Sequence, residues 1–129
     1  MIVDSSALLA LVFREPSHSR ILDAMSSAER LAIGAPTWAE TGVWLAARLE
    51  EEALPVLALL LEQLDLTILP FRAVHARAAR EAFLRYGRGR HPAALDFGNC
   101  LTYALAKVTG RPLLYVGDSF RLTDARSVL

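Results

Sequence analysis

Apolar residues along the chain fall into short unbroken runs and longer stretches of three-to-four-residue spacing, and the two kinds alternate. MIVD (1–4) is a short apolar run ending in an acid and predicts a first strand. Ser5 and Ser6 follow as capping residues for a helix through ALLALVF. Pro16 suits the first turn of a second helix through Met25. LAIGAP (31–36) reads as a second strand, and Thr37 as the start of a long helix, TWAETGVWLAARLEEE. Pro55 opens another helix that ends near Leu64, and LTILPF (66–71) is a third strand. Val74 to Tyr86 is helical, GRGRHP is a loop, and a helix from Asp96 to Val108 stops at Gly110. PLLYVGD (112–118) is a fourth strand, and the terminal DARSVL offers a short fifth.

Strands that alternate with helices predict an α/β fold: a parallel sheet of four or five strands with helices on both faces. The 129 residues suit one domain and are too few for two ordinary ones. In such sheets ligands bind outside the carboxyl ends of the strands, at a topological switch point. Asp4 and Asp118 stand at predicted strand ends, and Glu40 falls in the first turn of the helix after the second strand.

Composition narrows the function classes. Hydrophobic residues make up 53% and mean hydropathy is +0.31, high for a small chain. Either part of the surface meets another protein, or the core is simply Ala/Leu-rich and helical. The most apolar run, Leu54 to Leu61, is far shorter than the roughly 20 residues of a membrane-spanning helix. No cationic segment precedes an apolar one at the start, so no secretion signal is expected. Cys100 is the only cysteine, which excludes an internal disulfide and a Cys-based zinc site. A cytoplasmic location is expected. Net charge is zero, but between Arg72 and His91 six arginines face Glu81 alone.

Four carboxylates are candidates for chemistry: Asp4, Glu40, Asp96 and Asp118. Hard cations such as Mg²⁺ and Mn²⁺ take oxygen ligands, mostly carboxylate and water. Bound at clustered acids, such an ion lowers the pKa of its water and neutralises a phosphodiester during in-line attack. Each acid also has a purely structural reading. Asp4 and Asp96 suit N-caps, Thr37-x-x-Glu40 fits a capping box, and Asp118 after Gly117 suits a turn. Their placement at one edge of the predicted sheet favours shared chemistry.

Five segments carry a resemblance: MIVDSSALLAL at the start, WAE (38–40), YGRGRHPAAL (86–95), FGNCLTYALAK (97–107) and PLLYVGDSF (112–120). Together, in order and with compatible spacing, they resemble the PIN-domain ribonucleases, specifically the VapC-type toxins of bacterial toxin–antitoxin pairs. The resemblance implies a three-layer α/β/α fold and an Mg²⁺- or Mn²⁺-dependent endoribonuclease. It also implies a homodimer and neutralisation by a VapB-type antitoxin. Asp4 and Glu40 match the first two acids of the family site, and Asp118 the acid after the fourth strand. Ser6 matches a small hydroxyl residue beside it.

LDFGNC (95–100) departs from this pattern. Similar family members read like LNFGDC, and the acid before the cysteine reaches the metal. Here that position is Asn99, and the family's Asn position is Asp96. If the helix starts here, Asp96 is the N-cap and Asn99 is the third helical residue, which commits Asp96 to capping. Asn99 retains a carbonyl oxygen that can bind a hard cation, but it has no charge and cannot act as a base. The substitution is an inactivating change, a natural exchange of roles with Asp96, or a natural attenuation. Weakened activity is the expectation.

RYGRGRH (85–91) places Arg85, Arg88 and Arg90 among glycines. Guanidinium suits phosphate contact and base stacking, so these arginines and Ser6 are the expected RNA contacts. Alone the segment would read as a solvated helix face and a turn; beside an acidic site, RNA binding is the better reading. His91 reads as a loop residue. Trp38 and Trp44 flank Glu40, one suited to the core and one to an interface. The first two helices and the helix at 55–64 suit an antitoxin groove of the helix-in-groove kind. The leading function is therefore cleavage of a structured RNA such as tRNA. The alternative is a nuclease-like module that binds antitoxin and RNA without cutting. A phospho-acceptor receiver would need paired acids after the first strand and a lysine after a later one. Ser5 follows Asp4, and the single Lys107 lies in a helix. A DxD phosphatase fails on Ser6.

Overall fold

The first four strands and the helices expected from the sequence are all present in the computed structural model, which describes residues 1–129. In chain order they are β1 (Ile2–Val3), α1 (Ser5–Val12), α2 (His18–Ser26), β2 (Leu31–Gly34), α3 (Ala35–Leu49), α4 (Ala53–Gln63), β3 (Leu66–Leu69), α5 (Ala73–Tyr86), α6 (Phe97–Thr109) and β4 (Leu113–Leu114). A single 3-10 turn, Glu50–Glu52, separates α3 from α4. The sheet is parallel throughout, in the order β3-β2-β1-β4. The chain moves outward from β1 to β3 and then returns to the far side of β1. The switch point therefore lies between β1 and β4.

The period-two alternation of strand side chains divides the core into two layers. Ile2, Ala32 and Leu113 face α5 and α6, where they join Leu95, Ala104, Leu105 and Phe120. Val3, Ile33 and Leu114 face the opposite way, onto Leu8 of α1 and Ile21 and Met25 of α2. The registers Ile2↔Leu113 and Val3↔Leu114 keep each set on its own side. The result is the expected three-layer α/β/α architecture.

Several boundaries differ from the sequence reading, each for a local reason. α3 begins at Ala35, not Thr37, with Pro36 in its first turn. Proline lacks an N–H, and the first helical N–H groups have no intrahelical partner, so it opens the helix at no cost. The Thr37–Glu40 capping box is consequently absent, and Glu40 lies in the second turn of α3. Thr37 is instead buried, its hydroxyl 3.0 Å from that of Thr102 on α6. α1 is capped by Asp4, whose side chain accepts the Ser6 N–H, and Ser5 is its first residue. α2 starts after Ser17 rather than at Pro16, and α4 starts at Ala53 rather than Pro55. Pro70 lies just beyond β3, which ends at Leu69.

β4 is shorter than 112–118 because its neighbour β1 ends at Val3 and offers no ladder beyond it. The chain then turns so that Tyr115 meets Phe120 edge to face, ring centroids 5.0 Å apart. The short fifth strand reduces to one bridge between Leu113 and Ser127. Residues 118–126 are anchored by Asp124, which accepts from Tyr103 Oη at 2.5 Å and from Lys107 Nζ at 3.0 Å. The tyrosine hydrogen bond holds Asp124 below the usual carboxylate range. No helix is long and apolar enough to cross a membrane. Trp38 packs against the α1–α2 layer, whereas Trp44 is half exposed.

The Thr37–Thr102 pair is a buried polar contact between α3 and α6. Thr37→Val strands the Thr102 hydroxyl and should cost about 1–3 kcal/mol in urea unfolding. The double variant Thr37→Val/Thr102→Val should recover most of that loss. Additive losses in the double variant would show that the pair does not act as one unit.

Candidate active site

Asp4 emerges from β1 at the switch point. Its N–H donates to Leu114 O at 3.0 Å, tying it to β4. Its carboxylate Oδ2 accepts the Ser6 N–H at 3.1 Å and the Ser6 hydroxyl at 2.6 Å. Ser6 Oγ in turn accepts the Val116 N–H at 3.1 Å. The expected RNA contact Ser6 is thus a tie between the β1 and β4 ends, with its proton directed at Asp4. Asp4 Oδ1 is left without a protein donor.

Glu40 reaches the same edge from α3. The Ser5 hydroxyl donates to its Oε2 at 3.0 Å. Gly98 at the start of α6 makes room for the other oxygen: a Cβ there would fall 2.6 Å from Glu40 Oε1. Burial pushes the Glu40 carboxyl above the usual carboxylate range. The Ser5 hydrogen bond opposes this, and the charges of Asp4 and Asp96 reinforce it. Two consecutive serines therefore serve two acids, one hydroxyl each. Neither the role of Ser5 nor that of Gly98 was foreseen from the sequence. The Ser-Ser doublet behind an acid was the available signal for the first.

Asp96 and Asn99 form a closed pair. Asp96 Oδ1 accepts the Asn99 N–H at 2.8 Å, and Asn99 Oδ1 accepts the Asp96 N–H at 3.3 Å. This reciprocal capping box starts α6. Asp96 is committed to capping, as expected. The carbonyl oxygen of Asn99 is also turned back onto the backbone rather than toward Asp4. Asp96 is still close enough for its charge to disfavour ionised Glu40 and to raise the Cys100 thiol, which burial raises further still.

Asp118 does not join the cluster. Its side chain is 86% exposed and pairs with Arg121 at 3.6 Å. No three acidic, histidine or cysteine side chains are gathered closely enough to hold a metal ion. The edge thus carries two organised acids, Asp4 and Glu40, with a third negative charge at Asp96. Its donors are all oxygen, and the repulsion that raises Glu40 is of the kind a divalent cation relieves. Asp4 and Glu40 alone could contact such an ion at this edge, leaving the rest of its shell to water.

The arginine segment is partly spent on structure. Arg85 lies 3.7 Å from Asp124 and over the Tyr86 ring. Arg90 donates through Nε to Leu84 O at 3.2 Å. Arg88 is exposed. His91 accepts the Ala93 N–H through Nδ1 at 3.0 Å and meets Tyr86 edge-on, a loop residue as expected.

Two organised acids thus stand at the switch point of a parallel three-layer sheet. The chain belongs to the PIN-domain family, whose profile matches residues 1–125, and its relatives there are VapC ribonucleases. It is 45% identical over 125 residues to Ribonuclease VapC36 of Mycobacterium tuberculosis, covering 96% of this chain and 90% of that one. It is 38% identical over 128 residues to Ribonuclease VapC of Mycolicibacterium smegmatis, covering 99% of each. Among solved structures, the fold is similar to Mycobacterium tuberculosis VapC20, described as a sarcin-ricin loop cleaving toxin. That match has a TM-score of 0.79 and 18% identity, over 98% of this chain and 97% of that one. VapBC2 from Rickettsia felis, bound to a DNA fragment of its promoter, matches with a TM-score of 0.77 and 15% identity, over 98% and 94%.

A carboxyl raised above its ordinary value of 4.5 binds its proton more tightly folded than unfolded. Ionising Glu40 therefore costs stability, and that cost accumulates as pH rises from the ordinary value through the folded one. Without divalent cations, Glu40→Gln should melt at a higher temperature than the parent at pH 7. The gap should close as pH falls below 4.5. A melting temperature at pH 7 that is lowered by the substitution would contradict this electrostatic account.

Proposed function

We propose that the protein is the toxin of a toxin–antitoxin pair, and that it is an Mg²⁺- or Mn²⁺-dependent endoribonuclease weakened at Asn99. The observation that carries this reading is the pairing of Asp4 and Glu40 at the switch-point edge, each oriented by its own serine. Relatives named as ribonucleases support it. Asp4 and Glu40 would hold the cation, with water completing its shell; Asp118 and the Asn99 carbonyl, the further positions the resemblance implies, are engaged elsewhere in this fold. When bound, the ion supplies a water of lowered pKa and neutralises charge on the phosphate. Asp4 Oδ1 is the free oxygen of a carboxylate whose other oxygen is already fixed. Glu40 Oε1, the oxygen not held by Ser5, is placed to accept a proton from the attacking water. Arg88, exposed and without an ion pair or side-chain hydrogen bond in the fold, is the arginine of its segment most free to meet a backbone phosphate.

Asn99 is the weak position. As an amide it adds no charge, and its oxygen is engaged at the helix cap. This favours a second reading, a nuclease-like module that binds RNA and antitoxin without cutting. In either case the antitoxin would be recognised at a separate surface. Leu11, Val12, Leu22, Leu59 and Leu60 of α1, α2 and α4 line a cavity of about 360 Å³ suited to an apolar helix face. A homodimer in the bacterial cytoplasm remains part of the reading through the family resemblance.

Labelled total tRNA incubated with Mn²⁺ separates the two readings. Asp at position 99 preserves the capping geometry, because a carboxylate oxygen also accepts the Asp96 N–H. Asn99→Asp should therefore fold as the parent does. It should also cleave faster by roughly 10–100-fold, equivalent to about 1.4–2.8 kcal/mol of transition-state stabilisation, with EDTA abolishing the activity. Equal metal-dependent cleavage by the parent would show that Asn99 does not weaken the site. Cleavage by neither would favour the non-cutting module.

A further inference from the structure

A cavity of about 350 Å³ lies between the start of α2 and the segment that follows β4. Its walls include Ser17 and Arg20 at the start of α2, and Tyr115, Val116, Gly117 and Arg121 after β4. Val116 belongs to both sites, because its N–H is bonded to the Ser6 hydroxyl that also holds Asp4. Val116 is thus the link between the cavity wall and the Asp4–Ser6 pair.

The cavity's charged side chains are two arginines, set among apolar residues, Ser17 and Ser127. Arg20 is exposed and is in none of the ion pairs of the fold. Arg121 Nε lies 3.6 Å from Asp118 on the exposed surface, where such pairs contribute little. Ser17 Oγ is shielded from solvent and has no hydrogen-bond partner, the one such atom in the protein. A shielded hydroxyl without a partner is costly, and a turn of the Ser17 side chain toward the cavity would let it donate to an acceptor held there. Two guanidinium groups and a free hydroxyl around one space suit a phosphate oxygen. The volume equals that of roughly ten waters, more than an isolated phosphate needs and suited to a sugar–phosphate unit.

We propose that this cavity is a backbone-phosphate subsite for RNA. It holds a sugar–phosphate unit beside the one that is cut, with Arg20 and Arg121 as its cationic donors. The inference rests on the ribonuclease reading and extends it to a surface outside the arginine segment.

Binding without cleavage gives the test. A labelled single-stranded RNA is titrated in EDTA, by fluorescence anisotropy, over a series of salt concentrations. The slope of log affinity against log salt should fall by about 0.7 for each phosphate that is no longer neutralised, hence by roughly 1.4 in Arg20→Ala/Arg121→Ala. The lysine double variant should keep most of the slope, and Arg30→Ala, beyond the opposite end of β2, should leave it unchanged. An unchanged slope in the alanine double variant, with tight binding by the parent, would overturn the subsite and leave the ribonuclease reading standing. No RNA binding by the parent would overturn both. The Arg20 and Arg121 Nε–H signals in NMR should move with the oligonucleotide and not with inorganic phosphate. Equal movement with both would reassign the cavity to a free anion.

Discussion

Asp4 is bound from two directions as the chain passes from β1 to α1. Its backbone closes the ladder to Leu114 while its carboxylate caps α1 and takes the Ser6 hydroxyl. A residue so constrained cannot move its charge away from the edge, and the rest of the site is arranged around that fixed charge. Ser6 carries the tie onward to Val116 and so sets the spacing of the β1 and β4 ends. Glu40 must then settle nearby, half-buried, against the repulsion of Asp4 and Asp96. Ser5 and the open space over Gly98 make this tolerable. The site is thus held in an electrostatically unfavourable arrangement by good packing and by hydrogen bonds, a condition that a cation would relieve.

The same reasoning accounts for LDFGNC. A helix that starts beside a cluster of acids needs a cap, and Asp96 supplies it. Asn99 completes the reciprocal bond as well as an aspartate would, so the exchange of residue types leaves the helix start intact. What changes is the charge offered to the edge. Capping the helix is one demand on position 99, and Asn99 meets it.

Much of this was legible in the sequence. The alternation of apolar runs and amphipathic stretches gave the strands and helices in order and the three-layer class. Boundaries were missed where the deciding partner is distant: β4 stops because β1 is only two residues long, and α3 starts early because Pro36 suits its first turn. Asp4 and Glu40 were marked by their strand and helix positions and by the family resemblance. The capping role of Asp96 followed from its spacing to Asn99, whereas the Asn99 carbonyl, expected at the metal, accepts the Asp96 N–H instead. Asp118 was expected at the edge, but it is turned to solvent with Arg121. Arg85 and Arg90 read as free cations because nothing local reveals Asp124 or the Leu84 carbonyl as their partners. Arg20 and Arg121 went unnoticed because they are far apart in the chain, and only the return of β4 beside β1 brings their elements together.

The central claim is that Asp4 and Glu40 together hold a divalent cation. Crystals soaked in Mn²⁺ and measured at the manganese absorption edge address it directly. The account predicts an anomalous peak bounded by Asp4 and Glu40, absent from crystals of Asp4→Asn. A Mn²⁺ peak elsewhere on the protein, or no peak at this edge at saturating Mn²⁺, would contradict it.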